Sequence, residues 1–387
     1  MQDIDPTFSE PSFSLAVIDW QQQHGRQTLP WQNTTDAYRI WLSEIMLQQT
    51  QVSAVIPYYG RFLERFPTVQ ALAAADAQDV MAHWSGLGYY SRARNLHRCA
   101  QRICAEFDGR FPADPVLLAD LPGIGRSTAA AISAFAYGTR AAILDGNVKR
   151  VFCRMFGIDG FPGIRKIEEA LWRRAEALLP VAGSGQDEGI ERRMQRYTQG
   201  LMDLGATICT RSRPACGRCP LQSSCVACNT GRTAELPVRK PKKTVPEKHA
   251  GMLVVVDAGQ VLLQQRPGVG IWGGLLSLPE FEVTDEEFVA AHGTLFESRM
   301  RAQLAPFGRF ERSTALQPFS HGFTHFKLHV LPFQVSLLER ATLAGELDHV
   351  WFDHDKLAQA PLPAPVKKLL LALLASPDLF NAASLGS

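Results

Sequence analysis

The sequence has almost no excess of charge and no long apolar run. Its 387 residues include 40 Lys and Arg against 38 Asp and Glu, which leaves a formal net charge of +2. So small a charge does not indicate a nucleic-acid partner, and any basic surface has to be local. The longest apolar runs, Met252–Val256 and Leu369–Ala375, are far too short to cross a bilayer, and the opening MQDIDPTFSE lacks the parts of a signal peptide. We therefore expect a cytoplasmic protein.

Strand-like alternation is also missing from residues 1–228. Apolar residues at helical spacing run through this part instead, and joints rich in Gly or Pro interrupt them. The pattern predicts helices over residues 12–24, 36–52, 68–84, 92–106, 115–119, 127–137, 148–156, 164–179 and 186–204. Because 46% of the residues are hydrophobic, the chain can bury sizeable cores. Residues 1–228 are predicted to form an all-α module.

A basic stretch with several prolines, residues 229–248, follows the helical part. It predicts an interdomain linker, which is either a solvated connector or a strap along a phosphate backbone. Beyond it, strands are predicted over 252–256, 261–265, 326–335 and 349–352, and helices over 286–303 and 366–375. This change of period predicts a small α+β domain at 249–378, with a tail at 379–387.

Five of the eight cysteines are crowded into one segment, and four of them form a C-x6-C-x2-C-x5-C array. In a cytoplasmic chain such crowding favours metal over disulfides. Four thiolates can bind either zinc or a [4Fe–4S] cluster, and the spacing does not choose between them. The predicted ligands are Cys209, Cys216, Cys219 and Cys225. Cys228 is interpreted as a bystander, and Cys99, Cys104 and Cys153 as core residues.

The stretch Leu121–Arg150 joins a Pro-Gly-x-Gly turn to a helix of small residues and ends in a second helix. Gly123 and Gly125 expose backbone N–H groups at a helix N-terminus, where an anion such as a phosphate binds well. Taken alone, such a turn is more often a plain connection between two helices than a ligand site.

Two carboxylates, Glu44 and Asp145, are candidates for breaking a glycosidic bond. An acid has to protonate the leaving group, and an anion has to stabilise the oxocarbenium-like transition state. Glu44 shares a helical face with Ile40 and Trp41, and apolar neighbours favour the protonated form of a carboxyl group. Asp145 precedes a predicted helix, so it is expected to cap that helix, to act in catalysis, or both.

Five segments resemble the MutY-type adenine DNA glycosylases of the helix-hairpin-helix, Gly/Pro-Asp superfamily. They are WLSEIMLQQTQV (41–52), GLGYYSRARNL (86–96), LPGIGRSTA (121–129), ILDGNVKRV (143–151) and the cysteine array. The resemblance implies a helix-hairpin-helix core at about 33–147, an iron-sulfur subdomain of 1–32 with 148–228, and a [4Fe–4S] cluster rather than zinc. The implied activity is the removal of adenine opposite 8-oxoguanine or guanine from double-stranded DNA in base excision repair, and we expect a monomer.

The same resemblance implies roles for individual residues. Glu44 would protonate adenine, Asp145 would stabilise the cationic sugar, and Asn147 would support the site by hydrogen bonding. Adenine lies inside the base stack, so the nucleotide must be flipped out before the bond can be broken. The residues that match positions filling the opened stack or gripping the phosphate backbone are Gln48, Gln49, Tyr89, Gly123 and Gly125.

Ser127 stands where relatives that resemble endonuclease III carry a nucleophilic lysine. A serine cannot form a Schiff base, so a simple hydrolase with at most weak lyase activity is expected. Many adenine glycosylases have tyrosine there, which leaves the contact of Ser127 with the lesion side open. The alternatives are a glycosylase and lyase of the endonuclease III type, or a non-catalytic protein that binds damaged DNA and keeps the cluster as a clamp.

The C-terminal segments GIWGGLLSLPEF (270–281) and FTHFKLHV (323–330) resemble the Nudix-like half of the same family. The following TDEEF lacks the carboxylate spacing of a working Nudix hydrolase, so pyrophosphohydrolase activity is not expected. The implied role is the reading of 8-oxoguanine by Phe323, Thr324 and His325. The triplet Phe319-Ser320-His321 is similar, and is the alternative register.

Overall fold

The computed structural model describes residues 10–181, 189–240, 245–268, 270–290, 296–323, 325–341 and 348–375. These residues form two compact units, one within Met1–Ala74 and Asn95–Lys242 and the other within Ala75–Arg94 and Lys243–Ser387. The domain limits at 1–228, 229–248 and 249–378 stay a prediction. Of the helices in the described ranges, none is long and apolar enough to span a membrane.

Helices alone make up the regular structure of the described residues between 10 and 240, as predicted. They are α1 (Glu10–His24), α2 (Ala37–Leu47), α3 (Val52–Arg65), α4 (Val69–Ala73), α5 (Ala77–Trp84), α6 (Ser91–Phe107), α7 (Pro115–Ala119), α8 (Arg126–Tyr137), α9 (Gly146–Met155), α10 (Arg165–Ala177), α11 (Ile190–Asp203) and α12 (Val226–Asn229). A π-helical stretch, Leu204–Ile208, continues α11. By the division above, α5 and the first turn of α6 belong to the second unit.

The predicted helix over 36–52 is wrong at its C-terminal end. α2 stops at Leu47, and Gln49 has a φ of +56°, in the left-handed region that a helix cannot contain. α3 was not predicted, because Pro57 indicates the end of a helix. Pro57 lies inside α3 nevertheless, since the burial of three large side chains offsets the lost backbone hydrogen bond. Those side chains are Val55, Tyr59 and Phe62.

The predicted helix over 68–84 is also interrupted. The chain leaves the helical conformation between α4 and α5, and Asp76 caps α5 by accepting a hydrogen bond of 2.8 Å from the N–H of Gln78. Apolar periodicity continues across such a break, so the pattern alone does not reveal it.

The core of the first unit brings α9 close to the π-helical stretch. Side chains of α1, α8, α9 and α11 are packed together there, with Phe13, Phe152 and Tyr197 almost fully buried. A Cβ atom on Gly205 would lie 2.6 Å from Cβ of Asn147, so only glycine permits this approach. The first part of the predicted linker packs on the same unit, since Leu236 is buried and its carbonyl accepts a hydrogen bond of 2.8 Å from Arg154 Nε.

The second unit is an α+β structure, as predicted. Its strands are β1 (Glu247–Asp257), β2 (Gln260–Gln265), β3 (Leu276–Ser277), β4 (Glu280–Glu282), β5 (Gly308–Ala315), β6 (Phe319–Gly322), β7 (Lys327–Arg340) and β8 (His349–Asp353), and its later helices are α13 (Asp285–Ala290), α14 (Glu297–Leu304) and α15 (Ala364–Leu374). β1 pairs in parallel with β7 and antiparallel with β2, and β7 also pairs with β5 and β6.

The four strands predicted from alternation are confirmed as β1, β2, β7 and β8. β3 to β6 are missing from the prediction because β3, β4 and β6 have at most four residues, while β5 is interrupted by register shifts that blur its alternation. The helix predicted over 286–303 corresponds to α13 and α14, and its middle, 291–295, lies outside the described residues.

Candidate active site

The predicted hairpin is formed by α7, a turn and α8. Gly123 in the turn has a φ of +79°, and a Cβ there would lie 2.8 Å from Cβ of Asn95. The position therefore needs glycine both for its backbone and for its space. Gly125 is the N-cap residue of α8, and in the structure as described no side chain accepts from the first N–H groups of that helix. An anion could take those hydrogen bonds.

Hydrogen bonds connect this hairpin to the two segments that carry the candidate carboxylates. The amide of Gln48, at the end of α2, lies 3.5 Å from both Gly123 O and Thr128 Oγ1. Ser127 Oγ accepts a hydrogen bond of 2.9 Å from the N–H of Leu144, the residue before the candidate aspartate. The hairpin therefore lies against the ends of both segments.

Asp145 caps α9, which confirms that part of its prediction. Its Oδ1 accepts a hydrogen bond of 2.8 Å from the N–H of Val148. Burial raises the pKa of the Asp145 carboxyl, while hydrogen bonds from Val148 and Asn147 and the charge of Arg150 oppose that rise. A catalytic role is compatible with the cap, because the carboxylate has a second oxygen.

Glu44 lies on α2 and borders a cleft of about 820 Å³ in the first unit. Burial raises the pKa of Glu44 to about 8, and the charge of Asp145 adds to the rise. Asp145, about a hundred positions later in the sequence, is thus close enough to influence the ionisation of Glu44. Near neutral pH, Glu44 is mostly protonated and can act as an acid.

The rest of the cleft combines apolar and basic side chains, and none of them was predicted from the sequence. Arg26, Arg192 and Arg196 line it together with Trp31 and several glutamines. Arg26 donates to the fully buried Asp203 through Nε at 2.7 Å and through its backbone N–H at 2.9 Å. These residues come from α1, the following loop and α11, so no local sequence motif contains them. The volume is sufficient for a flipped-out nucleoside.

Asn147 lies at the start of α9, between the carboxylate and the cysteine segment. Its Oδ1 accepts a hydrogen bond of 2.9 Å from Arg150, which also donates to Gly205 O at 2.6 Å and to Cys209 O at 2.7 Å. Arg150 thus connects α9, which Asp145 caps, to Cys209, the first predicted metal ligand.

The four predicted ligands line one small cavity. Burial raises the pKa of the Cys219 thiol to about 12, and the neighbouring cysteines add to the rise. Crowded thiols of this kind ionise readily only when a metal or cluster supplies positive charge, so the donor set fits such a group. The almost fully buried Arg154 donates to Cys209 Sγ at 3.4 Å.

Cys228 also lines the cavity, within hydrogen-bonding reach of Cys216. The sequence predicts a bystander, because Cys228 lies outside the four-cysteine spacing. In the folded chain Cys228 lies beside the four predicted ligands, which the spacing in sequence could not show. Cys99 and Cys153 are buried, as predicted for core residues, and Cys104 is half-buried.

The remaining predicted DNA-contact residues lie at strained and exposed positions. Gln49, with a φ of +56°, is exposed at the end of α2. Tyr89, in the second unit, has a φ of +49° and is 47% exposed. Large side chains that a strained backbone holds exposed to solvent are available to contact a ligand.

The predicted lesion-reading residues follow β6. Phe323 stacks on Phe326 with centroids 4.6 Å apart, and Trp272 lies 5.6 Å from Phe323. His325 contacts the same Phe326 ring edge-on at 4.8 Å. Thr324 lies outside the described residues. The alternative triplet, Phe319-Ser320-His321, belongs to β6 itself.

Two of the acidic residues after LPEF, Asp285 and Glu287, make contacts within the protein. Arg299 donates to Glu287 at 2.5 Å and holds the pKa of that carboxyl down to about 2. Asp285 lies 2.8 Å from Nδ1 of His249. The absence of pyrophosphohydrolase activity stays a prediction.

The raised pKa of Glu44 predicts a pH-dependent difference in stability between the wild type and Glu44→Gln. Because the folded-state pKa is raised, the stabilising contribution of Glu44 is complete below its ordinary pKa, is lost as pH rises, and is gone above about 8. The loss is at most about 1.4 kcal/mol per pH unit. Between pH 6 and about 8, the melting temperature of Glu44→Gln should rise relative to that of the wild type. From about pH 8 to 9 the difference should stay constant.

The matched control is Glu64→Gln, an exposed glutamate of α3. Its melting temperature should follow that of the wild type across the whole range. A constant gap between wild type and Glu44→Gln from pH 6 to 9 would show that Glu44 has no raised pKa.

Comparisons with known proteins agree with this architecture. A model of the HhH-GPD superfamily of base excision DNA repair proteins matches residues 42–177, the iron-sulfur binding domain of endonuclease III matches 209–225, and a NUDIX domain matches 251–372. The predicted glycosylase module, iron-sulfur-binding segment and Nudix-like domain are therefore confirmed. The iron-sulfur match contains the four predicted ligands and ends before Cys228.

Full-length relatives give the family. The adenine DNA glycosylase of Buchnera aphidicola subsp. Schizaphis graminum is 34% identical over 92% of this chain and 97% of its own length. The adenine DNA glycosylase of Mus musculus is 30% identical over 92% of this chain and 77% of its own. The structure of a thermostable thymine-DNA glycosylase is 27% identical with a TM-score of 0.50, and covers 57% of this chain and 97% of its own. Because similarity to the adenine-specific relatives extends through both halves, the chain belongs to the adenine DNA glycosylase family.

Proposed function

We propose that this protein hydrolyses the N-glycosidic bond of adenine paired with 8-oxoguanine or guanine in double-stranded DNA. The observation that carries the proposal is the pair of interacting carboxylates, Glu44 at the cleft and Asp145 at the start of α9. Glycosidic hydrolysis needs one carboxyl as acid and one as anion. Burial raises the pKa of both residues, while hydrogen bonds from Val148 and Asn147 and the charge of Arg150 favour the anionic form of Asp145.

The proton is held on Glu44. Its raised pKa keeps it protonated at neutral pH, so it can donate to the departing adenine. Asp145 then carries the negative charge, since a proton on one of two adjacent carboxyls favours ionisation of the other. The hydrogen bond from Val148 orients Asp145 toward the sugar, Asn147 supports the site by hydrogen bonding, and water completes the hydrolysis.

The hairpin and the exposed side chains bind the DNA. The N–H groups near Gly123 and Gly125 bind a backbone phosphate, and Gln48 and Gln49 occupy the space that the flipped nucleotide leaves. Tyr89, in the second unit, is a further DNA contact. Ser127 stands where a lyase needs lysine, and its hydroxyl accepts from Leu144. A Schiff base cannot form there, so the enzyme is monofunctional.

The cysteines and the second unit supply the remaining parts. Cys209, Cys216, Cys219 and Cys225 would hold a [4Fe–4S] cluster. Arg150 of α9 connects this cysteine segment to the helix of Asp145 by donating a hydrogen bond to Cys209 O. Phe323, Thr324 and His325 read 8-oxoguanine, with the aromatic stack of Phe323 on Phe326 as support. We further propose that the enzyme is a monomer and is cytoplasmic.

The test uses three end-labelled duplexes with adenine opposite 8-oxoguanine, adenine opposite guanine, and thymine opposite guanine. Strand cleavage after alkali is expected with the two adenine substrates and not with the thymine duplex. Without alkali the strands should stay intact, because no lyase step follows base loss. Cleavage without alkali would favour a lyase of the endonuclease III type, and tight binding without base loss would favour a damage-binding protein.

A further inference from the structure

Two histidines of the second unit lie side by side, next to a glutamate. β1 and β7 are parallel with His249 opposite His329, and Glu247 shares the face of His249 two residues earlier. One ring nitrogen of each histidine and one carboxylate oxygen lie within 4.8 Å of one another. The rings are stacked, with centroids 5.0 Å apart. None of these residues takes part in the proposed function.

The Nδ1 atoms of both rings already have hydrogen-bonding partners. His249 Nδ1 lies 2.8 Å from Asp285 Oδ1, and His329 Nδ1 lies 2.8 Å from Ser320 Oγ. Histidines that bind metals commonly use one nitrogen for the metal and the other for such a polar partner. Nε2 of each ring is therefore the nitrogen that remains for a ligand.

The surroundings of His329 Nε2 are typical of a metal ligand. This atom is buried and lies 3.2 Å from Glu247 Oε2, yet the geometry between them makes no hydrogen bond. In a tetrahedral site with metal–ligand bonds of about 2.1 Å, two ligand atoms are about 3.4 Å apart. The observed separation thus suits two ligands of one ion.

We propose that Glu247, His249 and His329 bind a zinc ion, with a fourth position open to water. Two imidazoles and one carboxylate are a donor set that zinc accepts in tetrahedral geometry. The ion would join the start of β1 to β7 and, through Ser320, to β6. The cysteine cavity belongs to the first unit, so the two sites share no residue.

The test measures zinc and iron on the full-length protein after incubation with zinc and desalting. The wild type is expected to retain one zinc per chain more than Glu247→Gln or His329→Gln, with equal iron in all three. Glu247 has a side chain 57% exposed, so its substitution should leave folding intact, which circular dichroism and the melting temperature will verify. Zinc should raise the melting temperature of the wild type and not that of the two variants.

Matched controls are Glu282→Gln, an exposed glutamate of β4, and His354→Gln, which lies outside the cluster. Both should bind zinc as the wild type does. Asp285→Asn should weaken zinc affinity, measured by competition with a chromophoric chelator, by about 10- to 100-fold, because it loosens the orientation of His249. Retention of wild-type zinc affinity by either Glu247→Gln or His329→Gln would overturn the proposal, whatever the activity of the enzyme toward DNA.

Discussion

Replacing Glu44 by glutamine is expected to abolish base release while DNA binding is retained. Glutamine has nearly the same size and polarity but no acidic proton, so adenine would have to leave without protonation. General acid catalysis contributes about 10²- to 10⁴-fold, and a loss of that size is expected in the single-turnover rate of adenine release. The affinity for the same duplex, measured by fluorescence anisotropy, should change by less than about threefold, or about 0.7 kcal/mol.

Glu64→Gln is again the matched control, since it makes the same chemical change on an exposed face of α3. It should release adenine at the wild-type rate. The wild-type rate should also fall above about pH 8, where Glu44 loses its proton. A Glu44→Gln variant that keeps more than a tenth of the wild-type rate would exclude Glu44 as the acid.

The helices and the long strands could be predicted because their signal is local. Apolar spacing indicates α8 and α11, and alternation indicates β1 and β7. The break after Leu47 could not be predicted, since it depends on the left-handed backbone of Gln49, and neither could α3, where burial prevails over the effect of Pro57. The burial that stabilises α3 depends on tertiary structure, which no short window of sequence contains.

The candidate site likewise contains residues that could be predicted from the sequence and residues that could not. Its motif residues could be found from the sequence, whereas the wall of the cleft could not, because Arg26 and Arg192 are far apart in the chain and belong to no motif. Cys228 shows the limit of spacing arguments, since a count of four cysteines excludes a thiol that folding places beside Cys216. His249 and His329 meet only through the parallel pairing of β1 with β7, a register that cannot be read from either strand alone.

Asp145→Asn is expected to separate the capping role of Asp145 from its role as an anion. Asparagine is as good an N-cap as aspartate, so the hydrogen bond to Val148 N–H should persist and stability should hardly change. The negative charge is lost, and with it the stabilisation of the cationic sugar. Removing one such electrostatic contact costs about 10²- to 10³-fold in rate, to be measured as single-turnover adenine release.

Asp145→Ala completes the comparison, because it removes both the charge and the cap. It should lose activity to the same extent as Asp145→Asn and, in addition, lower the free energy of unfolding by about 1 kcal/mol. Asp76→Asn, at the exposed cap of α5, controls for the chemical change alone and should leave the rate of base release unaltered. If Asp145→Asn kept wild-type activity and Asp145→Ala did not, Asp145 would act only through the position of α9. If both variants lose activity and only Asp145→Ala loses stability, catalysis requires the negative charge of Asp145 itself.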